Sequence, residues 1–154
     1  MRSILITGGA GYIGSHTCYL LLEFGYEIYV VDSLVNSSAE SLDKILEINP
    51  LKKELFQKKL HFFVGDIRDE NLLRSIFIKA KRNSEPIGGV IHFAGLKAIH
   101  DSIKNPINYW ENNVQGSISL LKVMEENGCS KIIFSSSATI YGNNKQTRID
   151  ETNP

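Results

Sequence analysis

An excess of charge of either sign is missing from this sequence: 17 Lys and Arg are matched by 17 Asp and Glu, giving a formal net charge of zero. Without a basic field there is no long-range pull on nucleic acid or an anionic membrane, so any anion must be held by local geometry. Long apolar runs are missing too. Tyr19 to Leu22 and Ile28 to Val31 fall far short of the roughly 18 residues a membrane span needs. Only Ile4, Leu5 and Ile6 separate Arg2 from Gly8 and Gly9, too few for the apolar region of a secretory signal. These absences predict a cytoplasmic protein with neither nucleic acid nor membrane as partner. Cysteine is scarce: Cys18 and Cys129 lack CxxC or CxxH spacing, and His16, His61, His92 and His100 form no pattern of the HExxH kind. The expectation is two reduced thiols and no metal.

What is present suits one globular domain: 154 residues, 42% hydrophobic and 22% charged, enough to bury a core. No repeat, low-complexity tract or linker divides the chain. Short β-branched runs alternate with longer segments of helical periodicity, the pattern of α/β proteins whose helices cover both faces of a parallel sheet. Strands are predicted at Arg2 to Thr7, Glu27 to Val31, His61 to Val64, Gly89 to Phe93 and Lys131 to Ser135. The first helix is predicted from Tyr12 to Phe24, with Ile13, Thr17, Leu20, Leu21 and Phe24 at helical spacing and Gly25 as its stop. A second runs from Ser38 to about Ile48, on Leu42, Ile45, Leu46 and Ile48, and ends before Pro50. The charge-rich stretch Lys52 to Lys59 reads as surface. Further helices are predicted from Asn71 to Lys81 and from Pro106 to Asn127, the latter ended by Gly128 in a left-handed conformation.

Gly8-Gly9-Ala10-Gly11-Tyr12-Ile13-Gly14 falls between the first strand and first helix. Glycines there let the backbone turn sharply, approach a pyrophosphate and pack helix against strand. The phosphates would sit on free N–H groups at the helix N-terminus, where the dipole adds roughly 0.3–1 kcal/mol. Eighteen residues past Gly14, Asp32 ends the second strand, where a carboxylate can accept from an adenosine ribose diol. A 2′-phosphate about 4 Å away would be repelled by roughly 4 kcal/mol at an effective dielectric near 20. Ser33, not an arginine, follows. NAD is therefore expected over NADP.

The spacing of Gly8, Gly11 and Gly14 resembles the GxxGxxG motif of the extended short-chain dehydrogenase/reductases. TGGAGYIGSHT (Thr7 to Thr17), GDIRD (Gly65 to Asp69), HFAGLKA (His92 to Ala98), NNVQG (Asn112 to Gly116) and FSSSATIYG (Phe134 to Gly142) are similar, in order, to the UDP-glucose 4-epimerase branch. The resemblance implies a Rossmann-like doubly wound sheet, incomplete at its carboxy-terminal side. It also implies cofactor contacts at Gly8, Gly11, Tyr12, Ile13, Gly14, Asp32 and Ser33. Asn36 and Ser37 match the second strand-to-helix loop, and Asp66 and Ile67 match positions beside adenine. Phe93, Ala94, Gly95 and Lys97 match positions beside the pyrophosphate and nicotinamide ribose, and Asn112 matches a cofactor-site asparagine on the long helix.

Ser137, just past the fifth strand, matches the catalytic-site serine that hydrogen-bonds the sugar hydroxyl losing its proton. The family also needs a Tyr-x-x-x-Lys pair on a helix. Tyr141-Gly142-Asn143-Asn144-Lys145 has that spacing, but its Gly-Asn-Asn composition after a strand predicts a turn, which would not put both side chains on one helical face. Tyr141 matches the noncatalytic tyrosine of the serine motif instead, and the true pair would fall beyond Pro154. The chain is thus expected to be the amino-terminal part of a longer homodimeric enzyme. Residues 1–154 would form a partial NAD-binding domain, without the substrate domain, and inactive alone.

In the intact protein the implied reaction is NAD-dependent interconversion of UDP-glucose and UDP-galactose by transient oxidation at sugar C4. A related nucleotide-sugar epimerase or a dehydratase is an alternative, although dehydratases carry Thr-Asp-Glu where this chain has Ser137-Ala138-Thr139. A noncatalytic NAD-binding module is the alternative from another class.

Overall fold

A computed structural model describes residues 3–83, 86–142 and 149–151, except the side chains of residues 138 and 139. The β-branched runs form strands β1 (Ser3–Thr7), β2 (Glu27–Asp32), β3 (Leu60–Val64), β4 (Ile87–His92) and β5 (Ile132–Phe134). All pair in parallel, in the order β3-β2-β1-β4-β5. Leu5 lies opposite Tyr29 on one side and Val90 on the other. This is the Rossmann-like arrangement, in which the chain works outward from β1 in one direction and then returns to add β4 on its other side.

Side chains alternate across the sheet with period two. Leu5, Tyr29 and Val31 enter a core with Leu73, Ile76 and Phe77 of helix α4 (Glu70–Arg82) and Leu120 and Val123 of helix α7 (Gly116–Glu126). Ile6, Ile28 and Val30 point the other way, against Cys18 and Leu22 of α1 (Tyr12–Glu23) and Leu42, Ile45 and Leu46 of α2 (Glu40–Glu47). Two apolar cores thus sandwich one sheet, as parallel sheets require.

The first helix buries a different face from the one its periodicity suggested. Gly14, Ser15, Cys18 and Leu22 turn inward, while Ile13, Leu20 and Phe24 are exposed. The close seat of Gly14 on the glycine turn fixes the rotation of the whole helix. Ile48 likewise stays outside. The charged stretch after α2 is a surface helix, α3 (Lys53–Lys59), that the sequence did not announce. Phe56 alone turns in, is fully buried, and meets the Tyr19 ring edge-on at 6.1 Å. One apolar anchor in two turns leaves no periodic signal.

Helix α4 starts at Glu70 because the Asp69 carboxylate caps it, accepting from the backbone N–H groups of Asn71 and Leu72 at 3.0 Å. The long fourth helix is segmented. After α5 (Ile99–Lys104), α6 (Pro106–Trp110) passes through one π turn, Glu111–Gln115, into α7. Gly128 follows with φ +66°, the left-handed stop expected, and Gly25, the expected stop of α1, takes φ +83°. Among the described residues, no helix is long and apolar enough to cross a membrane.

Replacing Phe56 with alanine is expected to cost about 3–5 kcal/mol. In urea this reads as a lower midpoint at unchanged slope, and a loss below about 1 kcal/mol would show that α3 is not anchored to the core.

Candidate functional site

Where β1 and β4 lie side by side, the chain leaves their carboxyl ends toward opposite flanks, and the loops part over a crevice of about 300 Å³. One wall is the glycine turn. Gly8 adopts φ +69°, accessible to glycine at little cost. A Cβ there would lie 2.6 Å from the Ala94 nitrogen and 2.8 Å from its Cα, so the two loops can approach only without a side chain. Gly14 brings α1 down on the turn, and a Cβ there would collide with the Gly8 carbonyl oxygen. The helix starts after Gly11 with no side-chain cap and no acidic residue in its first turn. Its uncapped N–H groups and positive dipole end are therefore disposed to accept an anion.

The second wall is organised by Asp32, which is 6% exposed. Its Oδ2 accepts from the Ala10 N–H at 2.9 Å; its Oδ1 accepts from the Leu34 N–H at 2.9 Å and the Ser37 hydroxyl at 2.7 Å. A carboxylate has about four acceptor positions, so it retains capacity for a ligand hydroxyl. Leu34 takes φ +57° to close this loop.

At the end of β3, Asp66 is clasped by Arg68. The guanidinium Nε and Nη2 donate to its carboxylate at 2.6–3.0 Å, and the Arg68 N–H adds a bond of 2.8 Å. This clasp holds the Asp66 carboxyl below its ordinary pKa. Ile67 is buried under Gly116, where a Cβ would come within 2.5 Å of Ile67 Cδ1.

The loop after β4 is pinned by Asn113 from the π turn. Its Oδ1 accepts from the Leu96 N–H at 2.8 Å and from Asn112 Nδ2 at 2.9 Å, while its Nδ2 donates to the Leu96 carbonyl at 2.9 Å. Beneath this loop lies His92, 2% exposed. Its Nδ1 is 2.5 Å from Thr7 Oγ1 and its Nε2 is 3.0 Å from Ser117 Oγ. Burial, with a smaller contribution from the Lys97 charge, pushes its pKa down to about 4.

The expected cofactor residues converge. Gly8, Gly11, Tyr12, Ile13, Gly14, Asp32, Ser33, Asn36, Asp66, Ile67, Phe93, Ala94, Gly95, Lys97 and Asn112 all line the crevice, joined by Val31 and Gly65. Ser37 does not line it and instead donates to Asp32. Ser137 lies in an adjoining cleft of about 430 Å³ that shares Phe93, Ala94, Gly95 and Lys97 with the first. A ligand lying along that shared wall would extend from the glycine turn toward the serine. Tyr141 ends a short 3₁₀ turn, Ala138–Tyr141, while Lys145 is outside the described residues.

Sequence reasoning missed the supporting side chains Asn113, Thr7 and Ser117, as well as the structural use of His92. Each lies within or beside a quoted motif, but their roles appear only when β1, β4 and the π turn are brought together.

Residues 5–154 match the family model described as GDP-mannose 4,6 dehydratase. A UDP-glucose 4-epimerase of Bacillus subtilis (strain 168) is 47% identical over 152 residues, covering 99% of this chain and 40% of the relative. One from Yersinia enterocolitica is 51% identical over 140 residues, covering 91% of this chain and 38% of its own length. Among solved structures, the UDP-glucose 4-epimerase from Bifidobacterium longum in complex with NAD+ and UDP gives a TM-score of 0.83 at 41% identity. That match covers 99% of this chain and 42% of the other. The chain thus spans about two fifths of the length of the curated relatives it matches.

The buried imidazole generates a pH dependence. An unfolded chain protonates His92 near pH 6.5, whereas the folded protein resists until about 4, so between these values the unfolded state binds more protons. The stability contributed by His92 is complete above about 6.5 and is lost as pH falls toward 4. Urea midpoints across that window should fall with a slope that His92→Gln lacks; parallel profiles would contradict it.

Proposed function

This chain belongs to the family described as GDP-mannose 4,6 dehydratase, and from that premise we propose that it binds NAD in the β1/β4 crevice and serves a UDP-glucose 4-epimerase. The observation that carries the reading is the convergence of glycine turn, Asp32, Asp66 and the post-β4 loop on one crevice whose wall continues to Ser137. The residues fit the cofactor: Gly8 lets the glycine turn close against the loop after β4, the uncapped start of α1 suits a pyrophosphate, and Asp32 can receive a ribose hydroxyl. The same contacts belong to Gly11, Tyr12, Ile13, Gly14, Ser33 and Asn36, with Ser37 acting through Asp32. Asp66 and Ile67 flank the adenine, while Phe93, Ala94, Gly95, Lys97 and Asn112 serve the pyrophosphate and nicotinamide ribose.

NAD, when bound, supplies reversible redox chemistry at the sugar's C4 without net consumption. The chain's own part is binding and orientation. Ser137 hydrogen-bonds the C4 hydroxyl, and the small residues after β4 admit both molecules to contact distance. Residues 1–154 form part of the NAD-binding domain, and the remaining length of a protein like its relatives supplies the rest of it, the proton acceptor and the UDP-sugar pocket. Water elimination, the chemistry named for the family model, lacks a carboxylic acid in Ser137-Ala138-Thr139, which favours epimerisation.

The intact protein is a cytoplasmic homodimer acting in galactose metabolism. Supporting the dimer, Ile103, Ile107 and Trp110 are each at least 67% exposed, and they continue along the segmented helix into exposed Val114, Ile118 and Leu121.

Mass spectrometry of small molecules released on denaturing the full-length protein should find NAD, and that protein should interconvert UDP-glucose and UDP-galactose. NADP, or an absence of nucleotide together with no epimerisation, would refute the reading. Asp32→Ala should weaken NAD binding about 10- to 100-fold. In the full-length enzyme, Ser137→Ala should lower kcat about 10²-fold or more while leaving NAD bound.

A further inference from the structure

Gly8 faces Ala94 so closely that a Cβ on the glycine would fall 2.6 Å from the Ala94 nitrogen, and a buried polar chain beneath them ties the two loops together. The Asn113 carbonyl only accepts, so Ser117 Oγ, 2.6 Å away, donates to it. The Ser117 oxygen must then accept from His92 Nε2–H at 3.0 Å. With its proton on Nε2, a neutral His92 offers Nδ1 as an acceptor, and the Thr7 hydroxyl donates to it at 2.5 Å. Thr7 Oγ1 in turn accepts from the Ala94 N–H at 3.3 Å. The carbonyl at one end fixes the first two links, and for a neutral ring the third then follows, with the Thr7 hydroxyl donating.

We propose that His92 is a positioning residue: as the neutral Nε2–H tautomer it locks together the exit of β1, the loop after β4 and the π turn, and so sets the width of the crevice. The proposal rests on the reading of that crevice as the dinucleotide site. The lock extends to the crevice wall because Asn113, whose carbonyl ends the chain, also holds both backbone groups of Leu96. The site demands an acceptor and a donor on opposite sides of one rigid group, which neutral imidazole provides and imidazolium does not. A second N–H would take the remaining lone pair of Thr7 Oγ1 and leave the buried Thr7 hydroxyl proton without the acceptor it now uses. The groups around the ring keep it neutral: β1 presents Thr7, α7 presents Ser117, β5 presents the Phe134 ring at 5.4 Å, and the post-β4 loop contributes the charge of Lys97.

Histidine-selective ¹⁵N NMR on the protein, paired with NAD titrations of Thr7→Val, Thr7→Ser and Ser117→Ala, tests the idea. The expected spectrum shows His92 protonated on Nε2 alone at pH 7. Thr7→Val and Ser117→Ala should each weaken NAD binding about tenfold, while Thr7→Ser, which keeps the hydroxyl, retains the original affinity. Ser117, in a helix on the far side of the ring, keeps the test informative if Thr7→Val fails to fold. A proton on Nδ1, or equal NAD affinity across all variants, would overturn the proposal. If the unmodified protein binds no NAD, the dinucleotide reading itself falls, and the nitrogen spectrum still reports the tautomer separately.

Discussion

A carboxylate buried among neutral donors governs the ligand-facing end of this fold. Asp32 draws the Ala10 N–H, the Leu34 N–H and the Ser37 hydroxyl toward two oxygens, tying the glycine turn to the loop that follows β2. An unsatisfied charge at 6% exposure would be costly, so these donors are held as firmly as they hold the carboxylate. Without that tie, Gly8 and Gly14 would still permit a tight turn but would not place it relative to the next strand. The positive end of α1 is useful to an anion only because the turn beneath it is fixed.

The opposite wall obeys another rule. There the crevice is shaped by uncharged polar groups, Asn113 around Leu96 and His92 between Thr7 and Ser117. On this wall the polar groups are oriented dipoles, and Lys97 is at the exposed rim. Such a wall exerts little pull on distant polyanions and acts at contact range.

Much of this was legible in the sequence because the deciding signals are local. Three glycines between a strand and a helix, and an acid at the end of the next strand, specify a backbone conformation almost by themselves. The strand positions followed from β-branched runs to within a residue or two, and the Asp69 cap starts α4 one residue before the expected Asn71. Relations across the sheet were not legible. The rotation of α1 depends on Gly14 meeting Gly8, so Ile13 and Phe24 lie outside despite an apolar pattern that suggested the reverse. Helix α3 hangs on the single anchor Phe56. Ser37, Thr7 and Ser117 act through partners that are distant in sequence or hidden within the hydrogen-bond network, which no periodicity encodes.

The π turn at Glu111–Gln115 amounts to one surplus residue between two helical stretches, and it sets their angular phase. Each residue advances an α-helix by about 100°, so a segment one residue shorter would keep Asn113 at Leu96 only by swinging Leu120 and Val123 out of the core, or keep the core and lose the asparagine. Apart from Asn112 and Asn113, side chains along this stretch are therefore freer to vary than its length. Its inheritance proceeds in whole-residue steps, of which only one suits both the crevice and the sheet.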